Sequence, residues 1–366
     1  MNDAAAPSWI RAGHALRLAA SVRDRGLEVR LDVAPGEVVA VVGANGSGKS
    51  SLVRLVSGQL RVDHGTVTID DEVVSGPGVH LPVHRRRVAL LEQRPLLFEH
   101  LDVLANVTFG LLARGAKPAA AVARAYVELE AVGCHDLAGR RTWEISGGQA
   151  QRVALARALA TDPRLVLLDE PMAALDASVA PSVRALLRER LRGEGRTAVL
   201  VTHDPIDALS LADTLVVLSG GRVVEQGPVG TLLARPRDPF LADLVGVNLV
   251  AGRGVSPDTL VLPTGEHVTG VSPVPLSADH AALASFAPAA VAVHRNVPTG
   301  SPRNHLRATV TGLEPRGSLV RLTAVLGDGA PLASDLTVAA AVDAGLVAGS
   351  EVWLAVKAAQ VSLYPR

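Results

Sequence analysis

Between about residues 13 and 245, short β-branched and apolar runs alternate with stretches of helical pattern. Residues 38–42, 87–91, 165–168, 197–201 and 214–218 read as buried strands. Residues 119–132, 150–159 and 178–191 read as helices. Strand runs that are apolar throughout are covered on both faces, and helices between them predict an α/β domain with a mostly parallel sheet. Residues 15–31 and 65–70 look instead like antiparallel strands beside that sheet.

The pattern changes after Leu249. Pro, Gly, Val and Thr become frequent, and no long helix is predicted. Residues 320–324 and 352–357 alternate with the period of two expected of half-buried strands. Short strands separated by turn residues predict a small all-β, OB-like module. A proline-rich stretch at residues 235–239 precedes the last helical turn of the first domain, so the expected domains are residues 1–247 and 248–366.

The strand at residues 38–42 runs into Gly43-Ala44-Asn45-Gly46-Ser47-Gly48-Lys49-Ser50, and Ser51 and Leu52 then open a helical segment. This is the pattern G-x-x-x-x-G-K-[ST] of a phosphate-binding loop. Glycines let the backbone turn its N–H groups toward phosphate oxygens, and the helix N-terminus adds partial positive charge. Lys49 would reach the β- and γ-phosphates, and Ser50 would ligate Mg²⁺. Downstream, the strand Leu165-Val166-Leu167-Leu168 ends in Asp169 and Glu170. Asp169 suits the metal, and Glu170 stands where a general base would polarise water against the γ-phosphate. Standing alone, this segment would read as a solvated acidic turn. Ser146-Gly147-Gly148-Gln149 begins another helix and so offers a second anion site. Two such helix starts cannot easily face one nucleotide, which predicts a dimer whose subunits each lend the second site to the other's ATP.

Bulk properties narrow the functions. The 366 residues carry 36 basic and 36 acidic side chains, so no electrostatic footprint for nucleic acid exists. The one dense basic run, His84-Arg85-Arg86-Arg87, reads as a solvated loop. A single cysteine, Cys134, excludes an intramolecular disulfide framework and fits a reducing cytosol. The N-terminus lacks the pattern of a secretion signal, and the longest nearly uncharged apolar stretch, residues 281–293, is too short for a membrane span.

With these motifs in order, the first region resembles the nucleotide-binding domain of an ATP-binding cassette (ABC) transporter. The resemblance implies a P-loop NTPase fold of mostly parallel sheet, with an antiparallel β subdomain and a helical subdomain. It implies ATP and Mg²⁺ bound by Gly43, Asn45, Gly46, Ser47, Gly48, Lys49, Ser50 and Ser51. Ser146, Gly147, Gly148 and Gln149 match the family signature, with Ile145 where Leu is usual, and Asp176 matches the loop after the catalytic pair. Gln93 matches the glutamine that senses metal and membrane partner, and His203 matches the switch histidine that contacts the γ-phosphate. Two departures stand out. No Phe, Tyr or Trp lies between Ala12 and Pro35 to stack on adenine, leaving an aliphatic such as Leu27 for that role or only weak base stacking. Ala173 stands where the family frequently has serine.

The C-terminal region resembles the TOBE module of importer ATPases, best over residues 346–359. Ser301, Arg303 and Asn304 resemble the S-x-R-N segment of molybdate-binding modules, a candidate oxyanion site; a structural loop is the plain alternative. Taken together, the resemblance implies a homodimeric motor at the cytoplasmic face of the cell membrane, joined to integral permease subunits and indirectly to an extracytoplasmic solute-binding protein. Molybdate or tungstate is the expected solute. Sugar, polyamine, iron and sulfate importers carry similar ATPases, and a non-transport ABC ATPase or an oxyanion sensor are the remaining readings.

Overall fold

The computed structural model describes residues 15–173, 175–298, 300 and 302–366. The chain divides into two compact units, one running to Gly230 and the other from Thr231 to Arg366. Residues 231–247, expected in the first domain, pack with the second unit.

The first unit begins with β1 (Leu16–Val22), β2 (Leu27–Val33), β3 (Val38–Val42), α1 (Lys49–Ser57), β4 (His64–Ile69), β5 (Glu72–Gly76), β6 (Val79–His80) and β7 (Val88–Leu91). It continues through α2 (Val103–Ala113), α3 (Pro118–Ala131), α4 (Gly147–Ala160), β8 (Leu165–Asp169), α5 (Ala180–Arg188), β9 (Ala198–Val201), α6 (Pro205–Leu211), β10 (Thr214–Ser219) and β11 (Arg222–Pro228). A six-stranded sheet has the order β11-β10-β3-β9-β8-β7, parallel except for β11. All five residues of β3 are buried, as a strand covered on both faces requires. A five-stranded antiparallel sheet, β2-β1-β4-β5-β6, shares its core with β3, β8, β9 and α1. The fold class expected of this region is therefore present.

Three local outcomes depart from expectation. The helix α2 is absent from the predicted set because it is apolar around its circumference, so no 3.6-residue period marks it; Asp102 caps it by accepting from the Ala105 N–H at 2.7 Å. The helix expected over residues 178–191 runs regularly only as α5 and widens into a π turn at Glu189–Gly193. The basic run is solvated at His84, Arg85 and Arg87, as expected, but not at Arg86. Arg86 is fully buried; its Nε donates to Leu81 O at 2.9 Å, and its Nη1 to Leu55 O and Val56 O at 2.9 and 3.0 Å. A guanidinium therefore closes the C-terminal end of α1, where a positive charge offsets the exposed carbonyls. Burial lowers its pKa to about 10. Gly58 makes room for it: a Cβ there would lie 2.4 Å from Arg86 Nε.

In the second unit, α7 (Val229–Ala234), which straddles the division, and α8 (Pro239–Val245) precede a run of strands. These are β12 (Asn248–Ser256), β13 (Thr259–Val261), β14 (His267–Thr269), β15 (Ala281–Phe286), β16 (Val291–His294), β17 (Asn304–Arg316), β18 (Leu319–Leu326) and β19 (Pro331–Thr337). A short α9 (Val338–Asp343), β20 (Glu351–Val356) and β21 (Ser362–Pro365) complete it. Two five-stranded sheets, β14-β13-β12-β15-β21 and β16-β20-β17-β18-β19, enclose one core with Leu260, Leu322, Leu354 and Leu363 at its centre. The period-two segments at residues 320–324 and 352–357 fall on β18 and β20, as their alternation predicts.

Candidate functional site

Strand register brings most of the expected site residues to one edge of the parallel sheet. Val41 of β3 pairs with Val201 of β9, Asp169 of β8 pairs with the same Val201, and Leu91 of β7 pairs with Leu168. The residues that follow these pairs leave the sheet side by side: the loop from Gly43, then Glu170, then Thr202 and His203, with Gln93 beyond β7. The carboxyl edge of a parallel sheet is where such folds bind ligands.

The loop is shaped by steric limits as well as by chain flexibility. A Cβ at Gly43 would meet Leu218 O at 2.2 Å, and one at Gly48 would meet Leu27 Cδ1 at 2.9 Å. Gly46 differs: its φ of +79° requires the left-handed region, yet a Cβ there would touch nothing within 4 Å. The space on that side is free of protein atoms and could admit a ligand. Lys49 at the first turn of α1 donates from Nζ to Gly43 O at 2.6 Å and Ala44 O at 3.0 Å, curling over the loop. Partial burial lowers its pKa, opposed by the nearby Glu170 and Asp169 carboxylates. Ser47 Oγ is buried without a hydrogen-bond partner, an orphan that a phosphate oxygen would satisfy. Asn45, Gly46 and Ser50 are exposed beside it, and Ser51 is half-buried. These groups fit a triphosphate.

Asp169 and Glu170 divide between two backbone states. Asp169 completes β8, while Glu170 turns into the left-handed region at φ +49°. That conformation costs a non-glycine residue on the order of 1–3 kcal/mol and is concentrated at functional sites. Its N–H is held by Val201 O at 2.9 Å, and its Oε1 stands 3.4 Å from His203 Nδ1. Burial raises the Asp169 pKa, and the Glu170 and Glu92 charges add to the shift, with Lys49 and Arg54 opposing them. A carboxylate crowded in this way is suited to a divalent cation. Ser50, Asp169 and Gln93 carry oxygen donors of the kind magnesium prefers and would be the residues to hold it. Among the described residues, no cluster of three or more His, Cys, Asp or Glu side chains could hold a metal by protein alone.

His203 is positioned from behind. Thr202 Oγ1 donates to Asp207 Oδ2 at 3.1 Å and accepts the Asp204 N–H at 3.0 Å. Arg184 of α5 binds Asp207 at 2.6 Å and Asp204 at 3.4 Å. Burial raises the Asp207 pKa, against the pull of its Arg184 hydrogen bond. Motif reading missed this triad because its partners come from separate elements, although an acid four residues beyond His203 was visible.

Ser146 and Gln149 form a reciprocal cap on α4: Ser146 Oγ accepts the Gln149 N–H at 3.3 Å, and Gln149 Oε1 accepts the Ser146 N–H at 2.8 Å. Gln149 thus shapes the helix start, leaving exposed Ser146 and Gly147 at its tip. Gly148 is buried against Val179, whose Cγ1 would be 2.5 Å from a Cβ. Asp176 is exposed, and its carbonyl receives the Val179 N–H at 2.9 Å. A further residue escaped motif reading. Buried Gln151 donates to Pro171 O at 2.8 Å and so ties α4 to the turn after Glu170. Leu27 does not take the adenine-facing role; it is buried beneath Gly48, with no face left for a base.

In the second unit, Ser301 lies outside the described residues. Arg303 is exposed, whereas Asn304 is buried with its Oδ1 accepting the Thr269 N–H at 2.7 Å and its Nδ2 donating to Thr269 O at 2.9 Å. Its amide works as a strand partner joining β17 to β14. Arg303 and Asn304 therefore do not present donors to one anion.

Comparison with known proteins bears on the family and its domains. The sequence pattern of the ABC transporter family matches residues 27–173, and that of the TOBE domain matches residues 300–363. The chain is 44% identical to the Molybdenum import ATP-binding protein ModC of Mycobacterium tuberculosis over 96% of its own length and 97% of that protein's. It is 39% identical to the Fe(3+) ions import ATP-binding protein FbpC of Streptomyces coelicolor, covering 88% of this chain and 89% of the relative. It is 36% identical to the Sulfate/thiosulfate import ATP-binding protein CysA of Methylococcus capsulatus, covering 82% and 84%. Among solved structures, cbiO1 of Clostridium perfringens, part of the ABC transporter complex cbiONQ, superposes with a TM-score of 0.55 at 28% identity, over 61% of this chain and 91% of that one.

Proposed function

We propose that this chain, which belongs to the ABC transporter family and ends in a TOBE domain, is the ATP-hydrolysing subunit of an importer and works as a homodimer with two ATPs at its interface. The observation that carries the catalytic part is the Glu170–His203 pair beside the phosphate loop, at the edge where β3, β8 and β9 end. Lys49 and the loop N–H groups hold the phosphates. Glu170 polarises the attacking water, and His203 orients toward the γ-phosphate. Ser50, Asp169 and Gln93 would hold a magnesium ion, which would supply neutralisation of the phosphate charge. Catalysis of this kind rests on positioning and electrostatics more than on covalent chemistry.

The exposed tip of α4 completes the site in the partner subunit. Ser146, Gly147 and Gly148 of one chain face the phosphates bound by the other, with Asp176 at the same interface. Closure is passed through Gln93 to integral membrane permease subunits, so the chain works peripherally at the cytoplasmic face. No described helix is long and apolar enough to cross a membrane. An extracytoplasmic solute-binding protein delivers the solute, and no nucleic acid takes part.

Molybdate is the solute this reading favours, on the strength of near full-length similarity to a molybdenum import subunit. Iron and sulfate import are the second reading, since relatives named for both cover more than four-fifths of the chain. Uptake of labelled molybdate, sulfate and ferric ion by vesicles carrying the complete transporter decides between them. ATP-dependent accumulation of molybdate is expected; accumulation of sulfate or ferric ion instead would overturn the assignment.

A further inference from the structure

The helix capped by Ser146 has a second attachment eleven residues further along, near its other end. Arg157 of α4 is half-buried, and that burial lowers its pKa. Its Nη1 donates to Leu96 O at 2.9 Å, its Nη2 to Pro95 O at 3.0 Å, and its guanidinium carbon lies 5.3 Å from the centre of the Phe98 ring. One planar cation therefore grips two adjacent carbonyls and stacks on an aromatic face, a combination available to arginine and not to lysine. The gripped segment starts two residues after Gln93. It is held in an unusual shape: Leu96 has φ +43°, a left-handed conformation that branched residues avoid. From its other side, fully buried Asn106 of α2 accepts the Phe98 N–H at 2.8 Å and donates to Phe98 O at 3.1 Å.

We propose that Arg157 is a positioning residue that couples the tip of α4 to the loop following Gln93. A helix of fourteen residues moves as a body. When its N-terminal tip shifts to meet a nucleotide, Arg157 carries Pro95 and Leu96 with it, and through them the position of Gln93. The strained backbone at Leu96 is held in place by the guanidinium, so loss of that grip frees the segment. This inference rests on the reading of Ser146 as a contact to the partner subunit's ATP.

Hydrogen–deuterium exchange with and without ATP, in a Glu170→Gln background that retains the nucleotide, tests both levels separately. In that background, ATP is expected to slow exchange in residues 146–149 and 95–98 together. Adding Arg157→Lys should preserve the response at 146–149 and abolish it at 95–98; adding Phe98→Leu should weaken the latter. A full response at 95–98 in both variants would overturn the role of Arg157 while leaving the composite site intact. No response at 146–149 before Arg157 is touched would refute the composite site itself, and the coupling with it. Should Arg157→Lys fail to fold, the Phe98→Leu comparison decides by the same outcomes.

Discussion

His203 Nδ1 lies 3.4 Å from Glu170 Oε1, although the two residues leave different strands of the sheet. They meet because Asp169 is in register with Val201, so each chain turns off the sheet at the same level. Glu170 then bends into a left-handed conformation, with φ +49°.

Glu170→Gln keeps the size and the capacity to accept a hydrogen bond but removes the basic charge. General-base removal typically costs ~10²–10⁴-fold. The expected variant binds ATP, releases phosphate at least ~10²-fold more slowly, and elutes as an ATP-dependent dimer in size-exclusion chromatography. Unimpaired phosphate release would remove Glu170 from the mechanism.

Two glycines of the phosphate loop should fail in different ways. Alanine at Gly43 would drive its Cβ to 2.2 Å from Leu218 O, so the variant is expected to lose melting temperature even without nucleotide. Alanine at Gly46 meets no protein atom and pays chiefly the left-handed penalty of about 1–2 kcal/mol. Its main expected defect is weaker ATP binding, read by calorimetry. Equal ATP affinity in Gly46→Ala and the parent would show that the open side of the loop does not face the phosphates.

The contrast between these loops and other parts of the chain shows what could be read in advance. Continuous apolar runs and glycine spacing are local signals, and β3, β8, β9 and the phosphate loop all carry them. Arg86 carries no such signal. Its neighbours His84, Arg85 and Arg87 suggest a solvated loop, while the carbonyls of Leu55 and Val56 that allow its burial arrive only when β7 folds near α1. Asn304 was readable as an anion donor for the same reason: its partner Thr269 lies on another strand, and nothing in the local sequence announces it. Motifs expose groups that meet ligands; they conceal polar groups that meet distant backbone.

Arg184 offers a pH-dependent test of the support behind His203. Burial alone pushes the Asp207 carboxyl up, and Arg184 restrains that shift. With a native pKa above its unfolded value, ionisation of Asp207 costs stability as pH rises through the native pKa. Arg184→Met removes the restraint, raising that pKa further and extending the costly window upward. The expected loss is about 3–5 kcal/mol at pH 7 and smaller near pH 4, closer to the range in which a carboxyl with a raised pKa takes up its proton. Denaturant titrations at the two pH values measure it. A loss that is the same at both would mean that Asp207 is not the group left stranded.

The division of each site between two chains is open to a complementation test. Lys49→Ala disables the loop that holds the phosphates. Gly147→Glu places a carboxylate at the exposed tip of α4, where a Cβ meets nothing within 4 Å and a negative charge suits the helix N-terminus, yet where it would repel a partner's phosphate. Each variant alone is expected to be inactive. Mixed in equal amounts, half of the dimers pair one of each, and in those dimers the intact loop of one chain faces the intact tip of the other. About a quarter of the wild-type number of sites is thereby restored, as an isologous dimer requires. Phosphate release rising toward that level on mixing is the expected result. If both variants stay inactive together while each still binds the other, the helix tip at Ser146 does not serve the partner's nucleotide.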